Sequence, residues 1–322
     1  MDCGTHWIPE AAGNVVRSRA ICCMLNLVTA LLCSGELSKA CQVQQRATVP
    51  LTIIGTVVLT PVTVNGVQGT FVLDTGASLT AVTPAAVDRF GLALDEWTAT
   101  TMRGLGGIER RRNADPRSVE LGGIALHRRS LAGDTTLRVV TMPRSMVGGQ
   151  EIDGVLGRDF LSVFDLDLDF PHQTLTLYDV RNCTGRFLPW TAAYLSVPTE
   201  SPTKNALVVP VELDGVLLRA MLDTGASQTL IAAPGMARLG LGLDRLSGDK
   251  SEVVSGTGSH TVTVWRHQFQ ELRIGGETIA APMFPVTPIQ LSPVSDMLLG
   301  ADWLVSRRIW ISFATSQLFV AR

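Results

Sequence analysis

The pentapeptide Asp74, Thr75, Gly76, Ala77, Ser78 recurs unchanged as Asp223, Thr224, Gly225, Ala226, Ser227. In each copy an apolar stretch (Phe71, Val72 and Leu73; Met221 and Leu222) delivers the aspartate to a turn built on Thr and Gly. Glycine there permits a positive φ and close backbone approach, which suits two such loops meeting face to face. Two carboxyls about 3 Å apart cannot both ionise comfortably, so they share one proton, and one pKa rises while the other falls. Such a pair can hold a water. The ionised member takes its proton as the oxygen attacks a carbonyl carbon, and the protonated member donates to the carbonyl oxygen. Asp74 and Asp223 are therefore the candidate catalytic residues.

The elements that must position them are also written twice. Residues 62–82 correspond to 211–231, with Asn65 and Gly66 matched by Asp214 and Gly215. Each pair is a two-residue turn signal between alternating apolar runs, so each segment reads as a β-hairpin. Both turns begin nine residues before their aspartate, at a constant offset of 149 residues, which marks an internal duplication. The glycine-containing run Arg103, Gly104, Leu105, Gly106, Gly107 matches Ser255, Gly256, Thr257, Gly258, Ser259, and residues 152–170 match 295–313 with Gly157 aligned to Gly300. Alternation in Asp165, Asp167 and Asp169 against Leu166, Leu168 and Phe170 predicts a half-buried strand with its carboxylates on an outward polar face. Short helices fit at Pro84–Phe90, Arg158–Ser162, Pro234–Leu239 and Ala301–Val305. The expected fold is mostly β, two similar lobes related by a pseudo-twofold: a first lobe at 41–179, a connector at 180–204 and a second lobe at 205–322. Phe187 to Val197 is apolar enough for a strand packed against both lobes.

Composition agrees. A chain of 322 residues suggests two domains at ~150 residues each. Its 17% charged residues, against ~25% in ordinary domains, exclude a disordered or charged scaffold. A net charge of −2 gives no basis for a nucleic-acid partner. No apolar run reaches the ~20 residues of a spanning helix. Ala20 to Cys33 is a mostly apolar run behind Arg17 and Arg19, the pattern of a secretory signal. Residues 1–40 are accordingly expected to be a signal peptide or N-terminal extension, cleaved after Gly35 or Ala40. The protein would then be exported, periplasmic or secreted, the alternative being a single anchor at residues 20–33. Five of the six cysteines (Cys3, Cys22, Cys23, Cys33, Cys41) lie in or beside this leader, so the rest is expected to hold no disulfide framework and no zinc spacing.

The two Asp-Thr-Gly-Ala motifs, each followed by an apolar-apolar-Gly run (Val155, Leu156, Gly157; Leu298, Leu299, Gly300), resemble aspartic peptidases of the retropepsin type. Gly157, Arg158, Asp159, Phe160, Leu161 is similar to the Gly-Arg-Asn-Leu-Leu run of retroviral proteases. The resemblance implies an endopeptidase acting on an extended polypeptide, with no cofactor and no metal. It also implies that Thr75 and Thr224 bond across the lobe interface. Ala77, Ser78, Ala226 and Ser227 would complete the loops, and Gly157 and Gly300 would brace them from behind. Gly104, Leu105, Gly106 and Gly256, Thr257, Gly258 would form flaps. Because both loops lie on one chain, a monomer with intramolecular lobe pairing is expected. Retroviral enzymes carry an acid after the Ala that pairs with the Arg; Ser78 and Ser227 replace it here, which leaves Arg158 without that partner, and the second copy has Ala301. The alternative reading is a catalytically silent peptide-binding or regulatory module with the same fold.

Other features read as structural. Glu109 to Arg112 is expected to be a solvated loop. Asp159 and Asp302 cap or brace their helices, Trp97 and Trp265 pack in the core, and His260 and His267 lack metal-ligand spacing.

Overall fold

The computed structural model describes residues 40–126, 137–139, 146–200, 207–256, 258 and 260–322, and Ala40–Arg322 form one compact unit. Residues 1–39 of the leader expected over 1–40 lie outside the described residues, as do Thr257 and Ser259 of the second glycine-containing run and residues 201–206 of the connector.

The duplicated sequence folds into duplicated sheets. In the first lobe the strand order is Ala93–Gly104, Gly107–Asp115, Leu137–Val139, Ala81–Val82, Gly154–Leu156, Val67–Leu73, Val57–Val64, Val119–Leu121, Ile124–Ala125. The second lobe repeats it with Lys250–Ser255, Thr261–Gln268, Met283–Val286, Leu230–Ile231, Met297–Leu299, Val216–Leu222, Val208–Leu213, Glu271–Ile274, Glu277–Ala280. The hairpins turn where Asn-Gly and Asp-Gly lie, with Asn65 and Asp214 at φ of 51° and 50°. Each strand that carries an aspartate then pairs in parallel with its apolar-apolar-Gly strand, Leu73 opposite Leu156 and Leu222 opposite Leu299. Strands in the middle of a sheet with both faces covered read as continuous apolar runs. Phe71, Leu73, Leu156, Leu222 and Leu299 are all buried accordingly.

The four expected helices form at Pro84–Arg89, Arg158–Leu161, Ala233–Leu239 and Ala301–Leu304. Pro84 opens the first behind Thr83, whose hydroxyl accepts the Ala86 N–H at 3.2 Å. Gly240, left-handed at φ 64°, closes the third.

A third, six-stranded sheet draws on both halves of the chain, in the order Gln42–Pro50, Thr174–Arg181, Asp165–Asp169, Arg308–Ser312, Gln317–Ala321, Tyr194–Pro198. Its middle pair, Leu166 opposite Ile311, joins the two lobes through continuous backbone hydrogen bonds. Here the expectation of an outward polar face fails. Leu166 and Leu168 do enter the main core, but Asp165 and Asp167 are also buried, because the connector lays Phe187, Leu188 and Trp190 over the other face with Tyr178, Trp310 and Phe319. The buried carboxylates are partnered: Asp165 accepts from Trp310 Nε1 (3.1 Å) and the Ala314 N–H (3.0 Å), and Asp167 from Trp190 Nε1 and from Arg308 Nε and Nη2. Burial pushes the Asp165 carboxyl up.

The cysteine expectation is also corrected. Cys41 and Cys183 form a disulfide, Cα atoms 4.4 Å apart, that ties the edge strand to the connector across 142 residues of sequence. A crosslink over so long a loop removes much denatured-state entropy. Reduction, or the paired Cys41→Ser and Cys183→Ser change, is expected to lower unfolding stability by about 2–5 kcal/mol. Denaturant midpoints with and without reductant measure it, and coincident midpoints would show that the bond contributes nothing.

Glu109 to Arg112 lies on the exposed strand Gly107–Asp115 rather than in a loop, and Trp97, 91% exposed, is not a core residue, whereas Trp265 does pack against the core.

Candidate active site

The two aspartate loops lie against each other across the lobe interface. The Thr75 N–H donates to Thr224 Oγ1 at 3.0 Å and the Thr224 N–H to Thr75 Oγ1 at 3.1 Å. Each hydroxyl in turn donates to a backbone carbonyl of the opposite lobe, Thr75 to Leu222 at 2.9 Å and Thr224 to Leu73 at 2.6 Å. Both threonines are buried, so this reciprocal net is shielded from competing water and sets the distance between the loops.

Within each loop the turn folds its amides onto its own carboxylate. Gly76 and Ala77 N–H groups donate to Asp74 Oδ1 at 2.8 and 2.7 Å, and Gly225 and Ala226 N–H groups to Asp223 Oδ1 at 3.0 and 2.9 Å. The two carboxyls face each other across the interface, each against the glycine of the opposite loop, so a single proton between them would relieve their repulsion. Burial raises Asp74, against the pull of the Ala77 amide, the Asp223 hydrogen bond and Arg158. Burial first, and then the charge of Asp74, raise Asp223 well above the ordinary carboxylate range. The two groups therefore titrate together as a pair.

Gly76 and Gly225 are needed for space, not for a positive φ, which neither adopts. A Cβ on Gly76 would overlap the Asp223 carboxyl, and a Cβ on Gly225 would overlap that of Asp74. Ser78 and Ser227 are exposed at the ends of the loops.

Behind the loops the brace is a two-part lock. Gly157 and Gly300 N–H groups donate to Thr80 Oγ1 (2.9 Å) and Thr229 Oγ1 (3.1 Å). Those hydroxyls donate to Asp159 Oδ1 (2.6 Å) and Asp302 Oδ1 (2.8 Å) at the starts of the two short helices. A Cβ on either glycine would press into the loop backbone at Leu79 or Gln228. Thr80 and Thr229 are not singled out by the sequence reading, although both lie inside the matched segments 62–82 and 211–231, at the same 149-residue offset as the aspartates.

The described glycines of the two runs lie at the tips of two hairpins, Ala93–Gly104 with Gly107–Asp115 and Lys250–Ser255 with Thr261–Gln268. The tips meet each other: Gly106 bridges Gly258, the His260 N–H donates to the Gly106 carbonyl at 3.0 Å, and Gly256 is backed by Leu105. Close backbone crossing of this kind is open only to glycine, and Gly107 and Gly258 take positive φ values of 109° and 118°.

Arg158 takes a course that the sequence did not indicate. Its guanidinium is buried, and Nη1 donates to the Thr75 carbonyl at 2.9 Å and lies 3.3 Å from Met221 Sδ of the other lobe.

A family model described as Aspartyl protease matches residues 60–160 and 209–303, one region on each lobe. No curated protein matches. Among solved structures, the crystal structure of aspartic proteinase from Irpex lacteus is similar at 13% identity with a TM-score of 0.47, over 88% of this chain and 97% of that one.

Proposed function

This chain belongs to the retropepsin-like aspartyl protease family, and from that premise we propose that it is an endopeptidase whose nucleophile is a water held between Asp74 and Asp223. The observation that carries this reading is the pair of loops locked by Thr75 and Thr224, which sets the Asp74 and Asp223 carboxyls face to face. The ionised carboxylate removes a proton from the water as its oxygen bonds to the scissile carbonyl carbon. The protonated carboxyl gives its hydrogen to the carbonyl oxygen; the other carboxyl then passes the proton it took from water to the amide nitrogen as the C–N bond breaks, while a hydroxyl of the tetrahedral intermediate returns a proton to the first as the C=O bond re-forms. An extended polypeptide would lie beneath the two hairpin tips and pair with them by strand addition. The Cys41–Cys183 bond supports an oxidising compartment and hence export.

Cleavage of a mixed peptide library, blocked by a statine-type transition-state inhibitor, tests the reading. Binding of the inhibitor without any cleavage would favour a silent peptide-binding module instead. The pH profile follows from the shared proton. Activity falls on the acid side when the pair takes up a second proton and on the alkaline side when it loses the first. Burial raises both steps, Asp223 the more, so a bell centred at acidic to mildly acidic pH is expected. A rate that climbs steadily from about pH 5 to about pH 9 would exclude a singly protonated pair.

Both loops lie on one chain, joined through a connector of about 25 residues, so their meeting is intramolecular. Specific activity is expected to stay flat from micromolar to low nanomolar enzyme. Loss on dilution, with a dimer in ultracentrifugation, would show pairing between chains.

A further inference from the structure

Among the described residues, a buried cation stands behind the first-lobe side of an otherwise near-symmetric site. Arg158 is 8% exposed, although a guanidinium carries its charge at all working pH values and is costly to bury without a counter-charge. Its hydrogen bond goes to the carbonyl of Thr75, the residue after Asp74, and it also lies 3.3 Å from Met221 Sδ of the other lobe, two residues before Asp223. Among the described residues the charged groups that interact with it are Asp74, Asp223 and Asp159. Asp159 Oδ1 already accepts the Thr80 and Phe160 N–H groups and the Thr80 hydroxyl. The duplicate position is Ala301, so the second lobe carries no charge at that position.

We propose that Arg158 is a positioning residue: the counter-ion that keeps the carboxyl pair singly ionised and places the negative charge on Asp74, making Asp74 the base and Asp223 the acid. This rests on the endopeptidase reading for its consequence, not for its geometry. Two symmetry-related carboxyls left alone in a buried site would hold the proton on either member equally and would tend to keep both members protonated, with no base for the water. A single positive charge on the lobe of Asp74 removes both problems. It favours the ionised form of the pair, and it distinguishes the two members. The charge it stabilises on Asp74 then holds the remaining proton on Asp223, in line with Arg158 pulling Asp74 down and Asp74 pushing Asp223 up.

The test reads the carboxyls directly. Full-length protein labelled with ¹³C at the aspartate carboxyls is titrated by NMR, with Asp74→Asn and Asp223→Asn used to assign the two resonances. In the unmodified protein Asp74 is expected to ionise at the lower step; Asp223 ionising first overturns the proposal. Arg158→Gln keeps a donor for the Thr75 carbonyl but removes the charge, and is expected to raise the lower step by about one pH unit or more. Arg158→Lys keeps the charge and is expected to leave the order unchanged with a smaller shift. If Arg158 served only to brace the loop, a folded Arg158→Gln protein would titrate as the unmodified one does, and that result overturns the proposal. If Arg158→Gln does not fold, the order of ionisation in the unmodified protein still decides. The titration needs no turnover, so failure of the protein to cleave any peptide would strike the proposed function and leave this measurement standing.

Discussion

Asp74→Asn and Asp223→Asn are each expected to lower peptide cleavage by about 10²–10⁴-fold while the protein stays folded. Each carboxyl has its own task, removing the water proton or protonating the carbonyl oxygen, and a carboxamide can do neither. The loops have no reason to collapse, because an Asn Oδ1 can still accept the two amides that each aspartate now holds. The electrostatics point the same way. Both carboxyls are raised by burial in the folded chain, so whatever stability they contribute is present in full below their unfolded pKa and is lost as pH rises through the folded values. At neutral pH the buried charge is a cost, and replacing one aspartate by asparagine is expected to leave the thermal midpoint unchanged or raised. Rates and midpoints measured on the same preparations check both halves. More than about a tenth of the activity retained in either variant would sink the two-carboxyl mechanism.

Gly76→Ala and Gly225→Ala are expected to be nearly as damaging, for a steric reason. Each new methyl would occupy the volume of the facing carboxyl, so the loops must move apart. Overpacking of this kind costs typically about 1–3 kcal/mol. A displacement of about 1 Å between reacting groups costs on the order of 10² in rate. Loop separation also strains the Thr75–Thr224 net, whose four hydrogen bonds span 2.6 to 3.1 Å. Gly248, with open space around its Cα, is the control: Gly248→Ala is expected to change neither rate nor midpoint. Equal behaviour of Gly76→Ala and Gly248→Ala would show that the loops are not in the close contact described.

The features legible in the chain alone are local and repetitive. The hairpin turns at Asn65 and Asp214, the aspartate loops, the apolar-apolar-Gly strands and the four short helices each depend on a few neighbouring residues, and each occurs as a pair, one copy per lobe. Tertiary structure decided whatever depends on what covers a surface or lies far along the chain. The alternation of Asp165 and Asp167 with Leu166 and Leu168 correctly separated two faces of a strand, but period two does not say which face is covered. The connector, with Trp190 and Leu188, covers the one assigned to water. Cys41 and Cys183 stand 142 residues apart and pair only because the edge strand and the connector meet at one end of the shared sheet. Arg158 looked unpartnered because its expected acid would have been at Ser78, whereas its partners are reached through the fold, at the Thr75 carbonyl and across the lobe interface at Met221. A buried charge is placed by the three-dimensional distribution of opposite charge and polar groups around it, and no window of sequence contains that distribution.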